Sequence, residues 1–340
     1  MKPSPSPSPV AEAFGLGAPT GPLVAIPSGP SAVHRSWRLS TSRGRFAVKV
    51  FDRNLSGYGV EALEGPVRLE LAALAAGVPM PRPCRAAASG AGVAEVAGLG
   101  RHPVLVRVHE WVEGRTPTAP APAGLAAELG AALATIHGLG LGCGEGAQVD
   151  PWYRAAHGGG HWQALAERAE RAGCGWAGRL RADLPLLAEV EVLVAARMAE
   201  TVPLVMAHSD LVPGNVLVSA QGRPWIVDWD DAGPWNAAEE VAAAMVSWSS
   251  GVAGKPDERA ALALVDGYRG AGGGLEGHSP TVLAGSLSAV ANWLELNVRR
   301  SLDQAADRPF RWRAEAEVAG ALAELSRRLV RLDRWTELLG

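Results

Sequence analysis

The sequence predicts an α+β protein of two lobes, a small lobe built on an antiparallel sheet and a larger, mainly helical one. Three short apolar runs separated by turns lie between residues 23 and 51, as in a meandering sheet. From about residue 125 onward, apolar residues recur mostly at helical intervals. Three further apolar runs interrupt this helical part between residues 205 and 228, and they predict a short β-hairpin.

The composition describes a globular chain of 340 residues, of which 48% are hydrophobic and 20% charged. A net charge of −3 argues against nucleic acid as a partner. The three cysteines, Cys84, Cys143 and Cys174, lie far apart and form no CxxC motif, so we expect a reducing, cytoplasmic location. No signal-peptide core or uninterrupted membrane-length apolar segment is visible, so no membrane partner is expected. The sequence does not indicate an oligomeric state.

The first part of the chain is expected to contain a tail and three strands. Residues 1–20 are predicted to be a disordered Pro/Ser-rich tail, with at most a short helical turn near residues 11–14, because a Pro-Ser alternation cannot build a core. The predicted strands cover residues 23–26, 36–40 and 45–51.

Lys49 lies inside the third predicted strand, between apolar neighbours. A buried ammonium without a partner is unfavourable, so an anionic partner is expected nearby. A lysine at a strand edge could instead extend to water.

The next elements are a helix, a strand and a second helix. The first helix, around residues 66–76, carries Glu70 and ends at Gly77-Val-Pro-Met-Pro81. A strand over residues 104–112 follows, and then a Pro-rich stretch. The second helix presents an apolar face and ends at His137, which is expected to be buried with a structural hydrogen bond.

The central motif combines His208, Asp210, Asn215 and Asp228 with the apolar runs of the predicted hairpin. Phosphoryl transfer needs one carboxylate that orients and deprotonates the acceptor hydroxyl. It also needs an amide oxygen and a second carboxylate that hold Mg²⁺ against nucleotide phosphates. The alternative interpretation is a hairpin whose Asp and Asn residues serve only as caps.

With this spacing, the chain resembles the aminoglycoside phosphotransferase family, which has a protein-kinase-like fold. The resemblance implies that Asp210 is the base, that His208 orders the loop, and that Asn215 and Asp228 bind metal. Protein kinases would carry Arg at Ser209 and Asp-Phe-Gly in place of Asp228-Trp-Asp230, and both departures favour a small-molecule kinase.

The same resemblance implies ATP, or GTP, together with Mg²⁺ as cofactors. Lys49 would hold the α- and β-phosphates and pair with Glu70, with Glu64 as the alternative partner. Two further groups of nucleotide contacts follow: a phosphate turn with Ser28 and Ser31, and backbone groups at Glu110 and Val112 for the purine.

The predicted organisation is a nucleotide-binding lobe over residues 21–112 and a helical lobe over 113–340 that carries the catalytic loop and acceptor site. The expected activity is phosphorylation of a hydroxyl on a small molecule, with an aminoglycoside or another antibiotic as the leading acceptor. Choline, homoserine, macrolides and sugars are alternative acceptors, since relatives act on them. A catalytically idle nucleotide-binding protein is the other alternative.

Two further groups of residues were assessed. The segment His157-Gly-Gly-Gly-His161 is interpreted as a loop, because two histidines make an incomplete zinc site. Several polar residues of the late helices could contact an acceptor or could be ordinary helix residues; they are Glu239, Glu240, Trp293, Glu295, Asn297 and Asp303.

Overall fold

The computed structural model describes residues 5–27, 34–51, 59–100, 102–275, 279–303 and 308–340. Contacts divide the chain into two compact units. The first comprises Met1–Pro117 and Gly214–Ala232, and the second Thr118–Pro213 and Gly233–Gly340. Gly214–Ala232, which lies within the range 113–340 that we expected to form the helical lobe, is grouped with the sheet.

The first unit contains a six-stranded antiparallel sheet. Its order is β1-β2-β3-β6-β4, with β5 also paired to β6. The strands are β1 Val24–Ile26, β2 His34–Thr41, β3 Gly44–Phe51, β4 Pro83–Cys84, β5 Ala94–Val96 and β6 Val104–Glu110. Alternate residues of β3, including Val48 and Val50, are buried in one core. Lys49 points to the other face because side chains alternate along a strand.

The N-terminal segment is folded from residue 5, contrary to the prediction of a disordered tail. Helix α1, Ser8–Ala13, places Val10 in the core of the sheet, and Phe14 and Leu16 follow it there. The Pro-Ser alternation occupies only the start of the segment, whereas Val10 and Phe14 are spaced four apart and can be buried together.

Helix α2, Val60–Ala75, begins before the predicted start at residue 66. It buries Leu63 against Phe51 and Leu105 of the sheet. Leu63, Val67 and Glu70 are all buried and lie at helical spacing, so Glu70 faces the protein interior from an otherwise apolar face.

The predicted hairpin around Gly222 is present, and the apolar run before it belongs to a second small sheet. Strand β8, Val216–Val218, pairs with β9, Pro224–Ile226, and the turn between them contains Gly222 at a φ of +84°. Strand β7, Val205–Ala207, pairs instead with β10, Gly233–Trp235, in the second unit.

The second unit is mainly helical. Its helices are α3 Ala123–His137, α4 Gly159–Arg171, α5 Ala177–Ala182, α6 Leu184–Met198, α7 Ala237–Ser249, α8 Glu258–Gly270, α9 Ala284–Leu302, α10 Arg308–Leu329 and α11 Leu332–Leu339. One of its hydrophobic cores joins α4, α5 and α6 to α9 and α10. None of the described helices combines the length and the apolar character needed to cross a bilayer.

Helices α3 and α8 cross at two glycines. A Cβ at Gly130 would lie 2.0 Å from the Leu264 carbonyl oxygen, and one at Gly267 would lie 2.2 Å from that of Ala127. Only glycine permits this approach, which places the ends of both helices, with His137 and Tyr268, side by side.

Candidate active site

Lys49 lies in the middle of the sheet of the first unit. It is opposite Ser36 of β2 and opposite Arg107 of β6. Two cations on facing positions of neighbouring strands repel each other, so this register requires anionic partners.

Two carboxylates of the segment after β9 supply the partners of Lys49. The Lys49 ammonium lies 2.5 Å from Asp228 Oδ1 and is also paired with Asp230. The sequence prediction that a buried anion must accompany Lys49 is therefore confirmed.

The identity of that anion differs from the prediction. Glu70 pairs with Arg107 and with His109, at 2.6 Å, and not with Lys49. Glu64, the alternative, accepts a hydrogen bond from the Val93 N–H at 2.7 Å. The physical reason is Arg107, whose fork of donors reaches Glu70 and Asp230 together.

Arg107 and Glu70 are almost fully buried, and their pKa values shift in opposite directions. Burial alone would raise the pKa of Glu70, but His109 and Arg107 outweigh it and lower the pKa below its ordinary value of 4.5. For Lys49, burial works to lower the pKa, and the charges of Asp230 and Asp228 raise it overall. Asp230 also has a lowered pKa, because Lys49 and Arg107 overcome its burial. Lys49, Glu70, Arg107 and Asp230 are therefore all charged at neutral pH.

This charge cluster, defined as Lys49, Glu70, Arg107, Asp228 and Asp230, contains two cations and three carboxylates. Glu70 and Asp230 are buried, whereas the Asp228 side chain is 34% exposed. The accessible carboxylate of the cluster is therefore Asp228, where a further cation would be attracted.

The β8–β9 pairing brings Asn215 and Asp228 to one end of the hairpin. Asn215 ends a short 3₁₀ turn before β8, and its carbonyl accepts from the Val227 N–H at 2.9 Å. Asp228 follows at a φ of +65°, a left-handed conformation that Asp tolerates better than most residues. Strained backbone of this kind is frequent at functional sites.

The catalytic loop follows β7 in the second unit. His208 is fully buried, and its Nδ1 accepts a hydrogen bond from the Asp210 N–H at 3.3 Å. This geometry agrees with the expectation that His208 orders the loop. Ser209, between them, has a φ of +70°.

Three side chains from elsewhere in the second unit hold this loop. Glu240 accepts from the Ser209 N–H at 2.6 Å, and Tyr153 donates its hydroxyl to the Ser209 carbonyl at 2.8 Å. Trp248 donates its indole N–H to the Leu211 carbonyl at 2.8 Å. The backbone on both sides of Asp210 is thereby fixed, while the Asp210 side chain remains partly exposed.

Glu240 is itself fixed by the residues at the glycine crossing. His137 contacts Glu240 at 2.5 Å through Nε2 and the Tyr268 hydroxyl at 3.0 Å through Nδ1. His137 thus has the structural role predicted for it, and it connects the packing of α3 and α8 to the catalytic loop.

The residues proposed for the purine lie at the end of β6. The Glu110 N–H donates to the Arg82 carbonyl, whereas the Val112 N–H has no hydrogen-bond partner among the described residues. Both residues line a cavity of about 760 Å³, and Lys49 and Asp228 are not among the residues that line it. Ser28 and Ser31 lie outside the described residues.

The residues considered as acceptor contacts are largely structural. Glu239 is 1% exposed and pairs with Arg154 and Arg197. Asn297 is also buried and donates to the Trp293 carbonyl within α9. Neither side chain can receive an acceptor without losing these bonds.

Sequence reasoning missed Arg107 and the bridging role of Asp230. Arg107 stands in Val104-Leu-Val-Arg-Val, a charged residue in an apolar strand, which is the same signal that identified Lys49. The chain contains 3 lysines among 32 basic residues, so a lysine in the sheet is itself distinctive.

The comparisons with known proteins agree with this arrangement. The model of the phosphotransferase enzyme family matches residues 24–278. A search of curated protein sequences found no match.

Solved structures similar to this chain include a spectinomycin phosphotransferase in complex with ADP and spectinomycin, with a TM-score of 0.67 at 13% identity over 93% of this chain and 95% of that one. An amicoumacin kinase in complex with AMP-PNP and Ca²⁺ has a TM-score of 0.64 at 15% identity, over 94% of this chain and 91% of that one. A choline/ethanolamine kinase family protein from Mesorhizobium loti has a TM-score of 0.54 at 20% identity, over 96% of this chain and 97% of that one. The fold is that of kinase-like phosphotransferases, as the sequence predicted.

The first prediction concerns the stability that depends on Arg107. The substitution Arg107→Leu removes one buried cationic partner from both Glu70 and Asp230. The free energy of unfolding should therefore fall by about 3–5 kcal/mol. The matched control is Arg45→Leu, which breaks the pair with Glu113 at the surface of the same sheet and should change stability little. Urea unfolding of both variants makes the comparison. Equal losses would contradict a special role for Arg107.

The second prediction concerns acid unfolding. Because the pKa of Glu70 is lowered in the folded state, its charge stabilises the fold above its ordinary pKa of 4.5, and this contribution disappears as the pH falls toward the folded value. The stability difference between wild type and Glu70→Gln should therefore be largest near about pH 7 and shrink below about pH 4.5. Urea unfolding across this range measures it, with exposed Glu61→Gln in the same helix as control. A difference that stays constant with pH would refute the assignment.

Proposed function

The chain belongs to the phosphotransferase enzyme family and is a phosphotransferase that uses an alcohol group of a small molecule as acceptor; on this basis we propose that it transfers the γ-phosphate of ATP or GTP in a Mg²⁺-dependent reaction. The observation that carries the proposal is the charge cluster, in which Lys49, with 15% of its side chain exposed, is held beside the more accessible carboxylate of Asp228.

Lys49 is the group proposed to bind the nucleotide phosphates. Its ammonium is positioned by two carboxylates and remains charged. Lysine is a compact charge suited to phosphate oxygens. The Val112 N–H is a donor available for the purine. Glu70, by contrast, acts through Arg107, so we assign it a positioning role in place of direct pairing with Lys49.

Asn215 and Asp228 are the residues proposed to hold Mg²⁺. They offer an amide and a carboxylate oxygen, which are hard ligands of the kind that Mg²⁺ prefers. The partly exposed carboxylate of Asp228 is accessible to a divalent cation. When bound, Mg²⁺ would neutralise charge that develops on the phosphates.

Asp210 is proposed to be the base for the acceptor. It takes the proton of the acceptor hydroxyl as that oxygen forms a bond to the γ-phosphorus. The bond between this phosphorus and the β–γ bridging oxygen breaks, and the nucleoside diphosphate leaves. The hydrogen bonds that fix the loop backbone keep the Asp210 carboxylate in place for this step.

The acceptor is proposed to be an alcohol that also carries an amine. Similar structures are described by name as acting on spectinomycin, amicoumacin, choline or ethanolamine, and aminopropanol. An aminoglycoside or related antibiotic is the leading candidate, and a metabolite amino alcohol is the second. A panel of these compounds, with phosphorylated product detected by mass spectrometry, separates the two.

An idle nucleotide-binding protein is the competing function. It is disfavoured because Lys49, Asp210, Asn215 and Asp228 are all present and the loop that carries Asp210 is fixed.

The third prediction tests the nucleotide site. Lys49→Ala should weaken binding of Mg-ATP or Mg-GTP at least about tenfold, because a charge-assisted contact to phosphate is removed. Lys255→Ala removes an exposed lysine of the second unit and should leave affinity unchanged. Isothermal titration calorimetry measures both, after circular dichroism has verified that the variants are folded. Wild-type affinity in Lys49→Ala would sink the assignment.

The fourth prediction tests the base. Asp210→Asn keeps the side-chain shape and removes the proton acceptor. Nucleotide affinity should stay within a few-fold, whereas turnover should fall by about 10²–10⁴, the usual contribution of a positioned base. Calorimetry and mass spectrometry of the product, with the best acceptor of the panel, measure the two quantities. Survival of turnover in this variant would show that Asp210 is not the base.

A further inference from the structure

His157 and His161 lie close together at the start of α4 and share one carboxylate. His161 Nε2 is 3.0 Å from Glu295 Oε1, and His157 Nε2 is 3.6 Å from Glu295 Oε2. The two imidazole rings are nearly parallel, with centroids 4.9 Å apart. One ligating atom from each residue lies within 4.8 Å of the other two. The fold thus adds a third residue, from α9, to the pair of histidines visible in the sequence.

These distances are close to those within a metal coordination sphere. Nitrogen and oxygen ligands bound to Zn²⁺ at 2.0–2.1 Å in a tetrahedron lie about 3.3 Å from one another. The two distances, each to a different oxygen of Glu295, lie on either side of this value. All three side chains are half-buried, with exposed fractions of 15% to 25%, so an ion can reach them from solvent.

The segment that carries both histidines is fixed before any ion binds. Glu191 of α6 accepts hydrogen bonds from the Gly158 N–H at 3.0 Å and from the Trp162 indole at 2.8 Å. Gly158 has a φ of +79°, which turns the chain into α4 and lets His157 approach His161. The backbone conformation at position 158 therefore favours glycine.

The preceding loop is also attached to α9, the helix of Glu295. Ser288 accepts from the Ala155 N–H at 3.1 Å, and Asn292 donates to the Trp152 carbonyl at 2.7 Å. Ser288, Asn292 and Glu295 lie at helical spacing on one face of α9. The three ligands are thus presented by elements that are already connected.

We propose that His157, His161 and Glu295 form a binding site for a divalent transition metal, with Zn²⁺ as the expected ion. Two imidazole nitrogens and one carboxylate suit Zn²⁺ and neighbouring transition metals, whereas Mg²⁺ favours an all-oxygen set. Three protein ligands leave a fourth position for water or another group. The site shares no residue with the Mg²⁺ ligands proposed for phosphoryl transfer, and it does not depend on that proposal.

Two contacts of the proposed ligands would compete with a bound metal, and each therefore predicts an effect on metal affinity. His157 Nε2 also lies 2.8 Å from Asn292 Oδ1, and this nitrogen must release any proton it carries when it ligates. Exposed Arg299 contacts Glu295 Oε1 at 2.7 Å. Removal of the Arg299 guanidinium should therefore favour the metal, while removal of either imidazole should abolish the site.

The test is calorimetric titration of the chelator-treated full chain with ZnCl₂, without nucleotide, and with MgCl₂ as the second probe. Wild type should bind one Zn²⁺ per chain, and Mg²⁺ should not compete. His157→Gln, His161→Gln and Glu295→Gln should each weaken binding at least about tenfold, since loss of even an outer-shell partner has that effect. His102→Gln removes an exposed histidine of the first unit and is the matched control.

A second readout protects the test against misfolded variants. Zn²⁺ should raise the Tm of wild type and of His102→Gln but not that of the ligand variants, because a ligand of the folded state stabilises it. Arg299→Gln should bind Zn²⁺ more tightly than wild type. Absence of Zn²⁺ binding by wild type, unchanged affinity in the ligand variants, or no gain in Arg299→Gln would each overturn the proposal.

Discussion

The charge cluster of the first unit depends on one constraint, the register that sets Lys49 directly opposite Arg107. Two buried cations at this spacing can be stable only if carboxylates surround them. Asp230 contacts both, and Glu70 completes the set beside Arg107. The position of Asp230 after β9 then fixes Asp228, two residues earlier, beside Lys49. A requirement of sheet electrostatics thereby produces the accessible carboxylate on which the proposed chemistry depends.

The catalytic loop of the second unit is built on different principles. Its geometry rests on hydrogen bonds between the loop backbone and the side chains of Glu240, Tyr153 and Trp248. Glu240 is in turn placed by His137, at the end of the helix that packs through Gly130 and Gly267. The residues proposed to bind phosphate and metal therefore belong to one compact unit and the proposed base to the other, and each set is held by contacts within its own unit.

Local sequence patterns were enough to predict much of the fold and of the candidate site. The three-strand meander, the helical second half and the loop motif from His208 to Asp228 are all encoded by alternation, helical spacing or fixed residue intervals. The partner of Lys49 was not predictable in this way, because it depends on which strand lies beside β3 and on a side chain, Arg107, more than 50 positions away. The folded N-terminal segment was missed because Val10 and Phe14 are apolar residues next to a Pro-Ser run, and only tertiary contact with the sheet decides their burial.

The most direct test of the central claim is whether Mg²⁺ and nucleotide are coupled through Asp228. ATP affinity is measured by calorimetry with and without Mg²⁺, for wild type and for Asp228→Asn, which keeps the side-chain shape but removes the carboxylate charge. The account predicts that Mg²⁺ tightens ATP binding at least about tenfold in wild type and by much less in the variant, which has lost a charged ligand. Equal tightening by Mg²⁺ in both proteins would contradict it.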